Sequence, residues 1–262
     1  MKRLENRPAI VTGAGSGIGR ASAIRMAAEG AKVLLVGRTE ATLRETSDTI
    51  RAVGDTAAIF VADAADETQI KAALDECVSL YGGLAIFFAN AGNTDTVTPF
   101  LEQTVEAWEG MFRDNVITAF IACKLAGAYM AEHGGGSIIL NSSTGSLRAR
   151  GGTEAYCASK AAVNNLTQNA ACVFAGKNVR VNAILPGLTE TGLTKPMFDW
   201  ARDVGKADRI GKLTPMQRPG YVEDMAGAVA FLASDDAAYV DGQLLPVDGG
   251  ISATHPAGRF HY

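Results

Sequence analysis

The sequence lacks a strongly basic tract, a long apolar run and any closely spaced cysteine pair. Its 262 residues carry 28 acidic and 24 basic side chains, a net charge of −4, so the charge pattern of a nucleic-acid-binding protein is missing. The longest apolar runs, such as LAIFFA at 84–89, are too short to span a bilayer. No apolar run precedes the first predicted strand, so we expect no signal peptide. We therefore expect neither nucleic-acid nor membrane partners.

Cysteine and histidine are scarce and scattered along the chain. The four cysteines form no C-x-x-C pair, and nothing indicates an oxidising compartment, so we expect reduced thiols and a cytoplasmic location. The three histidines have no H-E-x-x-H context, which argues against a His-based zinc site. We predict no metal centre.

The sequence does contain a regular alternation of short apolar runs and longer amphipathic stretches. The apolar runs predict strands at 9–12, 32–36, 57–62, 84–89, 137–141, 179–185 and 244–247. The amphipathic stretches predict helices at 17–29, 40–53, 67–81, 104–132, 153–175 and 221–233. Continuously apolar strands separated by helices are typical of βαβ units with right-handed crossovers. We therefore predict an α/β fold in which one domain, 1–262, is a doubly wound (Rossmann) parallel sheet of about seven strands with helices on both faces.

One stretch, 186–216, interrupts this alternation. Long connections without an obvious element of their own are often functional, so we expect a mobile lid or substrate loop here. Met197, Phe198 and Trp200 would supply apolar walls to a substrate pocket.

The stretch TGAGSGIG at 12–19 joins the first predicted strand to the first predicted helix. Its glycine spacing is G-x-x-x-G-x-G, which differs from the G-x-G-x-x-G form. Glycines permit a tight turn and let the backbone approach a diphosphate, while a helix N-terminus offers free N–H groups. Such a turn can also simply connect strand to helix, but its place after strand one indicates nucleotide binding. We assign the cofactor contacts here to Gly13, Ser16, Gly17, Ile18 and Gly19.

Two further groups follow predicted strands. Asp63 ends the third strand, where its carboxylate would accept a hydrogen bond from an adenine amino group; the alternative is an ordinary cap of the next helix. Asn90, Ala91 and Gly92 end the fourth strand. This tripeptide suits a turn close to a bound ligand, although any sharp strand exit would use the same residues.

The segment YCASK sets Tyr156 four residues before Lys160, so on a helix both side chains share one face. A solvated pair is one interpretation. The other is that the ammonium makes the phenol acidic enough to exchange a proton near neutral pH, although a free tyrosine has a pKa of about 10. Cys157 lies between them without a histidine partner in sequence, and we interpret it as helix packing.

Together these motifs resemble the short-chain dehydrogenase/reductase family over nearly the whole chain. The resemblance also rests on Asn115, on Ser143, on the Pro-Gly pair at 186–187 and on VDGG at 247–250. Ser143 lies 13 residues before Tyr156, which is the family's usual separation. The order and spacing of these short motifs are jointly specific.

The resemblance implies a role for each of four residues. Tyr156 would be the proton donor or acceptor, and Lys160 would lower the tyrosine's pKa and bind the nicotinamide ribose. Ser143 would hold and polarise the substrate oxygen, and Asn115 would organise a water chain leading from Lys160 to solvent. Ser142 competes for the serine role, but its spacing is one residue short and we expect it to be structural.

The resemblance also bears on the cofactor, which we expect to be NADP(H) in preference to NAD(H). Gly37 stands where NAD-preferring relatives carry an acid, and Arg38 stands where NADP-preferring relatives often carry a base. A solvated arginine is the alternative, and Glu40 is close enough in sequence to weaken its charge. Further cofactor contacts are assigned by resemblance to Pro186, Gly187, Thr189 and Thr191.

The implied activity is NAD(P)(H)-dependent interconversion of a secondary alcohol and a ketone, with a small, partly apolar molecule as substrate. One alternative is a 3-oxoacyl-[acyl-carrier-protein] reductase, although Cys172 stands where we would align a docking arginine. Another is a catalytically idle dinucleotide-binding regulator. An enoyl reductase is disfavoured because Val163 stands where Tyr-x6-Lys would need lysine.

Two further expectations concern the substrate and the assembly. In the loop 144–152, Arg148 or Arg150 would meet an anionic group on a small substrate, or else both are solvated surface. Small residues recur along the helices at 104–132 and 153–175, which similar family members pair across a dimer interface. We therefore expect a homotetramer, unless the small residues pack only against their own sheet.

Overall fold

The computed structural model describes residues 2–94, 97–149, 151–212 and 214–254. Seven parallel strands form one sheet in the order β3-β2-β1-β4-β5-β6-β7. The strands are β1 Pro8–Thr12, β2 Lys32–Gly37, β3 Ala57–Val61, β4 Ile86–Ala89, β5 Gly136–Asn141, β6 Val179–Pro186 and β7 Leu244–Val247. The predicted doubly wound α/β fold is confirmed.

Helices cover both faces of this sheet, which is why its central strands are apolar throughout. The helices are α1 Gly17–Ala28, α2 Glu40–Ala52, α3 Glu67–Tyr81, α4 Val105–Phe112, α5 Thr118–Glu132, α6 Glu154–Val173, α7 Lys195–Asp203, α8 Ala207–Gly211 and α9 Val222–Ala233. Helices α3, α5 and α6 enclose one core with Phe87 and Ile138. Helices α1, α2 and α9 enclose the other with Phe88 and Ile139. Alternate residues of one strand thus enter opposite cores.

The predicted single helix at 104–132 is wrong in one respect. The structure divides it into α4 and α5, with a π-helical turn at Arg113–Ile117 between them. Such turns widen a helix locally and often occur at functional sites. Asn115 lies inside the turn and is buried.

The interruption at 186–216 is also more ordered than a loop. It contains α7, which has a proline in its first turn, and the short helix α8. Phe198, Ala201 and Ile210 form a small buried cluster of their own. Phe198 is therefore not free to line a substrate pocket as expected, and Trp200 is exposed.

The helix after β3 shows how local chemistry sets an element's ends. Asp66, and not Asp63, is its N-cap, accepting a hydrogen bond from the Gln69 N–H at 3.0 Å. Gly82 ends it with a φ of 82°, a left-handed conformation that glycine adopts without steric strain. None of the helices described is long and apolar enough to cross a membrane.

Candidate active site

The candidate site lies at the carboxyl ends of β1, β4, β5 and β6. The strand order reverses between β1 and β4, because β2 and β3 extend to one side and β4 to β7 to the other. In open parallel sheets, a crevice forms at such a switch point, and ligands bind there.

The glycine-rich turn presses directly against the exit of β4. Gly13 and Gly17 have φ angles of 65° and 51°, which disfavour residues with a side chain. A Cβ on Gly19 would lie 2.2 Å from the Gly13 carbonyl oxygen and 2.5 Å from the Asn90 side-chain nitrogen. Ser16 is the N-cap of α1, and its side chain makes no capping hydrogen bond. The first N–H groups of α1 are therefore available to an anion. Ile18 packs on the apolar core beneath.

A network of amides holds the ends of β1, β4 and β5 together. The Thr12 hydroxyl accepts hydrogen bonds from the backbone N–H groups of Asn90 and Ala91, both at 3.1 Å. The Asn90 amide donates to the Thr12 carbonyl at 3.1 Å, and the Asn141 amide donates to Asn90 Oδ1 at 2.9 Å. Asn141 Oδ1 is buried without a hydrogen-bond partner in the described structure. That oxygen is an acceptor available to a bound donor.

Asp63 is held as a carboxylate at the end of β3. Arg113 donates to its Oδ2 at 2.8 Å and the Ala65 N–H donates to its Oδ1 at 3.0 Å. The hydrogen bond from Arg113, then that from Ala65, lower the pKa of Asp63, and the charge of Arg38 lowers it further. An ionised carboxylate can accept a hydrogen bond from an amino group.

Arg38 lies in the open after β2. It forms no ion pair with any described residue, whereas Glu40 is paired with Arg44 one turn along α2. A Cβ on Gly37 would lie 3.4 Å from Leu43. Arg38 thus keeps its guanidinium available at the edge of the crevice.

Asn115 links the turn after β4 to the helix that carries the tyrosine. Its Oδ1 accepts from the Asn93 N–H at 3.0 Å, and its Nδ2 donates to the Asn93 carbonyl at 3.1 Å and to Ser159 Oγ at 3.0 Å. A Cβ on Gly92 would lie 2.5 Å from Asn115 Oδ1. Both polar atoms of the Asn115 side chain are therefore hydrogen-bonded, and the π-helical turn holds them in place for these contacts.

Lys160 is buried on the same face of α6 as Tyr156. Its Nζ donates to the Asn141 carbonyl at 2.9 Å and lies 5.8 Å from the centre of the Tyr156 ring. Burial lowers the pKa of Lys160 to about 8. Within the described chain it forms no ion pair, so its ammonium acts on the ring through space and on ligands that enter.

Ser143 and Tyr156 both lie close to Gly145. A Cβ on Gly145 would lie 3.3 Å from Ser143 Oγ, 3.6 Å from Tyr156 Cε1 and 3.3 Å from Cys157 Sγ. The Gly145 N–H donates to Ser143 Oγ at 3.0 Å, which orients the hydroxyl. A side chain at this position would therefore crowd both Ser143 and Tyr156.

Ser142 faces the opposite way. Its hydroxyl bonds to the Lys160 carbonyl at 3.0 Å and to Asn164 Oδ1 at 2.6 Å, and it is buried. These contacts anchor α6 to β5, which is a structural arrangement.

The Pro-Gly turn after β6 closes one side of the crevice. Thr144 donates to the Pro186 carbonyl at 3.2 Å, and a Cβ on Gly187 would lie 2.7 Å from the Asp248 Cα. Thr189 is buried and donates to the Gly187 carbonyl at 3.1 Å. Thr191 approaches the other side, because a Cβ on Gly17 would lie 3.5 Å from its Cβ. The lid thus begins in contact with the glycine-rich turn.

Sequence reasoning missed Asn141 and Arg113 as members of this site. A polar residue closing the apolar run SIILN was the available signal for Asn141. Nothing local indicated Arg113, because its partner lies on another strand. Arg150 lies outside the described residues. No group of three or more potential metal ligands occurs in the described part of the chain.

The sheet order and the glycine-rich turn at its switch point are those of a dinucleotide-binding α/β protein. Residues 13–252 match a family model described as "Enoyl-(Acyl carrier protein) reductase". The chain is 37% identical to 7alpha-hydroxysteroid dehydrogenase of Clostridium sardiniense, over 98% of this chain and 97% of that one. It is 33% identical to a 3-oxoacyl-[acyl-carrier-protein] reductase of Thermotoga maritima, over 95% and 99%.

Solved structures agree with these relatives. The structure of levodione reductase has a TM-score of 0.91, with 32% identity, 97% of this chain and 100% of that chain covered. A structure from Beutenbergia cavernae with bound NADP has a TM-score of 0.88, with 38% identity and coverages of 97% and 99%. The chain belongs to the short-chain dehydrogenase/reductase family. It is an enzyme of alcohol and carbonyl oxidoreduction, in a family that uses NAD(P).

Proposed function

We propose that this enzyme interconverts a secondary alcohol and a ketone, with Tyr156 as the group that transfers the proton. The observation that carries the proposal is the pairing of Tyr156 with buried Lys160 on one face of α6, with Ser143 across Gly145. A reacting oxygen beside Gly145 would lie next to a donor, an acceptor and a nearby cation. These are the requirements for proton transfer to a carbonyl oxygen.

The residues divide the chemistry in a simple way. In reduction, Tyr156 Oη donates its proton to the substrate oxygen, and in oxidation it accepts that proton. Ser143 Oγ donates a hydrogen bond to the same oxygen, which favours charge developing there. The Lys160 ammonium stabilises the phenolate, because an opposite charge nearby lowers a phenol's pKa. When bound, the nicotinamide cofactor supplies or accepts the hydride.

The residues fit a dinucleotide. Glycine at 13 and 19 leaves a cradle that a Cβ would fill, and the N-terminus of α1 faces it. The unpaired Asn141 Oδ1 and the buried Lys160 Nζ offer an acceptor and a donor near the tyrosine. Asp63 offers an ionised acceptor for an adenine amino group at the other end.

The adenosine end favours NADP(H) over NAD(H). Both nearby acids already have partners, since Arg113 pairs with Asp63 and Arg44 pairs with Glu40. Arg38 is then the cation that remains to meet a 2′-phosphate, and the strand ends on Gly37 instead of an acid that would repel one. We expect kcat/KM with NADP(H) to exceed that with NAD(H), and the reverse order would contradict the assignment.

The activity test uses the purified chain with both cofactors. We expect a panel of secondary alcohols and ketones, including sugars, steroids, hydroxy acids and acyl thioesters, to change the absorbance of reduced nicotinamide. A catalytically idle regulator would bind cofactor, seen as a rise in Tm, without any turnover. That result would overturn the proposal and favour the alternative.

A 3-oxoacyl-[acyl-carrier-protein] reductase is the second candidate, because one relative has that name. An acidic carrier protein needs a basic docking face. Exposed Cys172 occupies the position where the resemblance suggests an arginine, and few bases surround it. We therefore expect a free ketone to be used better than a carrier-bound 3-oxoacyl chain at low salt. A carrier-bound preference above about tenfold, roughly 1.4 kcal/mol, would reverse this choice.

We also propose a homotetramer that acts in the cytoplasm. Helix α5 and the turn before it expose Phe120 and Ile117, two large apolar side chains, beside the small residues of α5 and α6. Light scattering at micromolar concentration should give a tetrameric mass. The variant Phe120→Arg should lower that mass, whereas Val53→Arg, at an exposed apolar residue that follows the C-terminus of α2, should not. A monomeric wild-type enzyme would exclude the assembly.

A further inference from the structure

Arg148 lies on the segment that follows Ser143 and flanks the proposed reacting oxygen. The turn Thr144–Ser146 leads from Ser143 into this segment, and a Cβ on Gly145 in that turn would lie 3.3 Å from Ser143 Oγ and 3.6 Å from Tyr156 Cε1. The guanidinium donates to the Thr254 carbonyl oxygen. Arg148 therefore bridges the catalytic turn and the chain after β7.

The segment after β7 borders the other side of the same crevice. A Cβ on Gly187 would lie 2.7 Å from the Asp248 Cα, so this segment packs against the Pro-Gly turn. Asp248 binds the N–H groups of Gly250 and Ser252, both at 2.8 Å. Its two carboxylate oxygens are thus used to shape the turn. Arg148 thus reaches from the turn after Ser143 to the segment after β7, and the nearby acid Asp248 is already occupied by its own turn.

Arg148 is unusual among the described arginines in being partly buried with so few partners. Arg180 is the only other described arginine that is partly buried without a carboxylate, and it donates to the carbonyls of Leu232, Ser234 and Val240 at 2.8, 3.2 and 3.2 Å. Those bonds cap the end of α9, which explains Arg180 structurally. Arg148 has a single carbonyl partner in the described chain. Most of its N–H donors remain unused in a half-buried position.

We propose that Arg148 binds a carboxylate of the substrate, so that the enzyme acts on a hydroxy acid or oxo acid. This inference rests on the proposed alcohol–ketone activity. A planar guanidinium matches a carboxylate with two parallel hydrogen bonds. One cation also matches its single charge, whereas a phosphate monoester carries about −1.5 to −2 at pH 7. The carboxylate itself is unchanged in the reaction, since the hydride and the proton leave or join the carbinol group alone.

The test compares acids with their methyl esters at three spacings between ketone and carboxylate: 3-oxobutanoate, 4-oxopentanoate and 4-oxocyclohexanecarboxylate. Binding to the full-chain enzyme with saturating oxidised cofactor is measured by calorimetry, because this readout needs no turnover. Initial rates with reduced cofactor form the second readout. We expect at least one acid to bind more than about tenfold tighter than its ester, and to react with a correspondingly lower KM.

Two variants of Arg148 and one control variant locate the effect. In Arg148→Met the preference for acid over ester should fall to about one, because the acid's KM rises by much more than the ester's. Arg148→Lys should keep part of the preference, because it retains the positive charge but cannot make two parallel hydrogen bonds to the carboxylate. Arg51→Met removes an exposed, unpaired cation on α2 and should leave the preference intact.

The outcomes separate the two proposals. Equal binding of acids and esters to wild type, or a preference that survives in Arg148→Met, overturns the carboxylate site. Tighter binding of a phosphorylated ketone than of every acid also overturns it. If none of the acids and esters reacts, and no member of the wider alcohol and ketone panel reacts either, the proposed function itself is wrong.

Discussion

The polar edge of the sheet and the segment 186–216, which we expect to act as a lid, are held in different ways. At the edge, Asn115 and Lys160 are buried, and their hydrogen bonds join β4, β5 and α6. In the lid, Arg202 pairs with Glu190 and Lys195 pairs with Asp199 in the solvent. The lid's apolar contacts are a small cluster around Phe198.

This difference sets how strongly each region depends on its neighbours. A buried polar group that loses its partner costs about 1–3 kcal/mol, so each edge residue depends on the others. An exposed ion pair contributes little, because water and salt screen it. The buried polar groups at the edge are therefore rigidly positioned, while the contacts of the segment 186–216 depend less on the sheet.

The largest effect should come from Tyr156→Phe. It removes the proton-transferring hydroxyl and keeps the ring, so we expect kcat to fall by about 10²–10⁴-fold with cofactor binding preserved. Cys157→Ala, one residue away, should retain activity within about threefold. Steady-state rates and fluorescence titration of reduced cofactor check both variants. More than a few per cent of wild-type activity in Tyr156→Phe would disprove the assignment.

A phenylalanine pair compares the two regions directly. Phe88 is fully buried in β4, and Phe198 is almost as buried in the lid. Phe88→Ala should lower the free energy of unfolding by about 3–5 kcal/mol. Phe198→Ala should lower it much less and raise the KM for substrate, because it loosens only the small lid cluster. Urea unfolding with parallel kinetics measures this, and equal losses of stability would show that the lid is part of the main core.

A glycine pair tests the cradle. Gly19→Ala places a Cβ 2.2 Å from a backbone oxygen, so we expect a loss of about 1–3 kcal/mol in stability and weaker cofactor binding. Gly227→Ala in α9 meets nothing within 4 Å and should stabilise the helix by about 0.5–1 kcal/mol. Thermal unfolding with and without cofactor distinguishes them. Unchanged cofactor affinity in Gly19→Ala would mean that the turn only connects β1 to α1.

The pH dependence follows from Lys160. Because burial lowers its pKa to about 8, the ammonium is lost as pH rises through that value, well below its usual pKa of about 10.4. We expect kcat/KM for ketone reduction to fall about tenfold per pH unit above it. Lys160→Arg, which stays protonated, should lose this limb.

The same shift affects stability with a definite sign. Below pH about 8, Lys160 is protonated in both the folded and the unfolded state, and burying its charge lowers the free energy of unfolding by the full amount. As pH rises from about 8 to about 10.4, the folded state no longer holds the charge, and this destabilisation disappears. Lys160→Met should therefore raise the Tm at pH 7 more than at pH 10. A Tm difference that does not depend on pH would contradict the pKa assignment.

The smallest effect is expected for Arg202→Met in the lid. The Arg202 side chain is about half exposed and that of its partner Glu190 is partly exposed, so solvent screens the pair and the Tm should not change measurably. Arg218→Met breaks a two-pronged pair with Asp224 at the base of the lid, at 2.7 and 2.9 Å, and serves as the stronger comparison. A clear loss of Tm in Arg202→Met would show that the lid is more rigid than its surface pairs suggest.

Most of the fold could be predicted because its signals are local. The apolar run at 32–36 predicts β2, which the structure has at Lys32–Gly37, and the run at 84–89 predicts β4, which begins two residues later at Ile86. Periodicity failed at 104–132, where helix-forming residues continue through the break. The π-helical turn there depends on Asn115 reaching Asn93 and Ser159, and neither partner is visible in the local sequence.

The lid shows the same limit. Its helices α7 and α8 are short, and isolated helices of that length are marginal in water. Phe198 and Ile210 stabilise them by packing together. No pattern within either helix predicts that contact, so the segment looks like a loop in sequence.

The sequence alone determined the alternating parallel sheet, the glycine turn after β1 and the spacing of Ser143, Tyr156 and Lys160, because periodicity and spacing are properties of neighbouring residues. Only the tertiary structure decided that Lys160 is buried against the Asn141 carbonyl, that Arg113 meets Asp63 and that Arg148 reaches Thr254. Each of these contacts joins residues far apart in the chain. Their energy exists only after the sheet has brought the strand ends together and excluded water from between them.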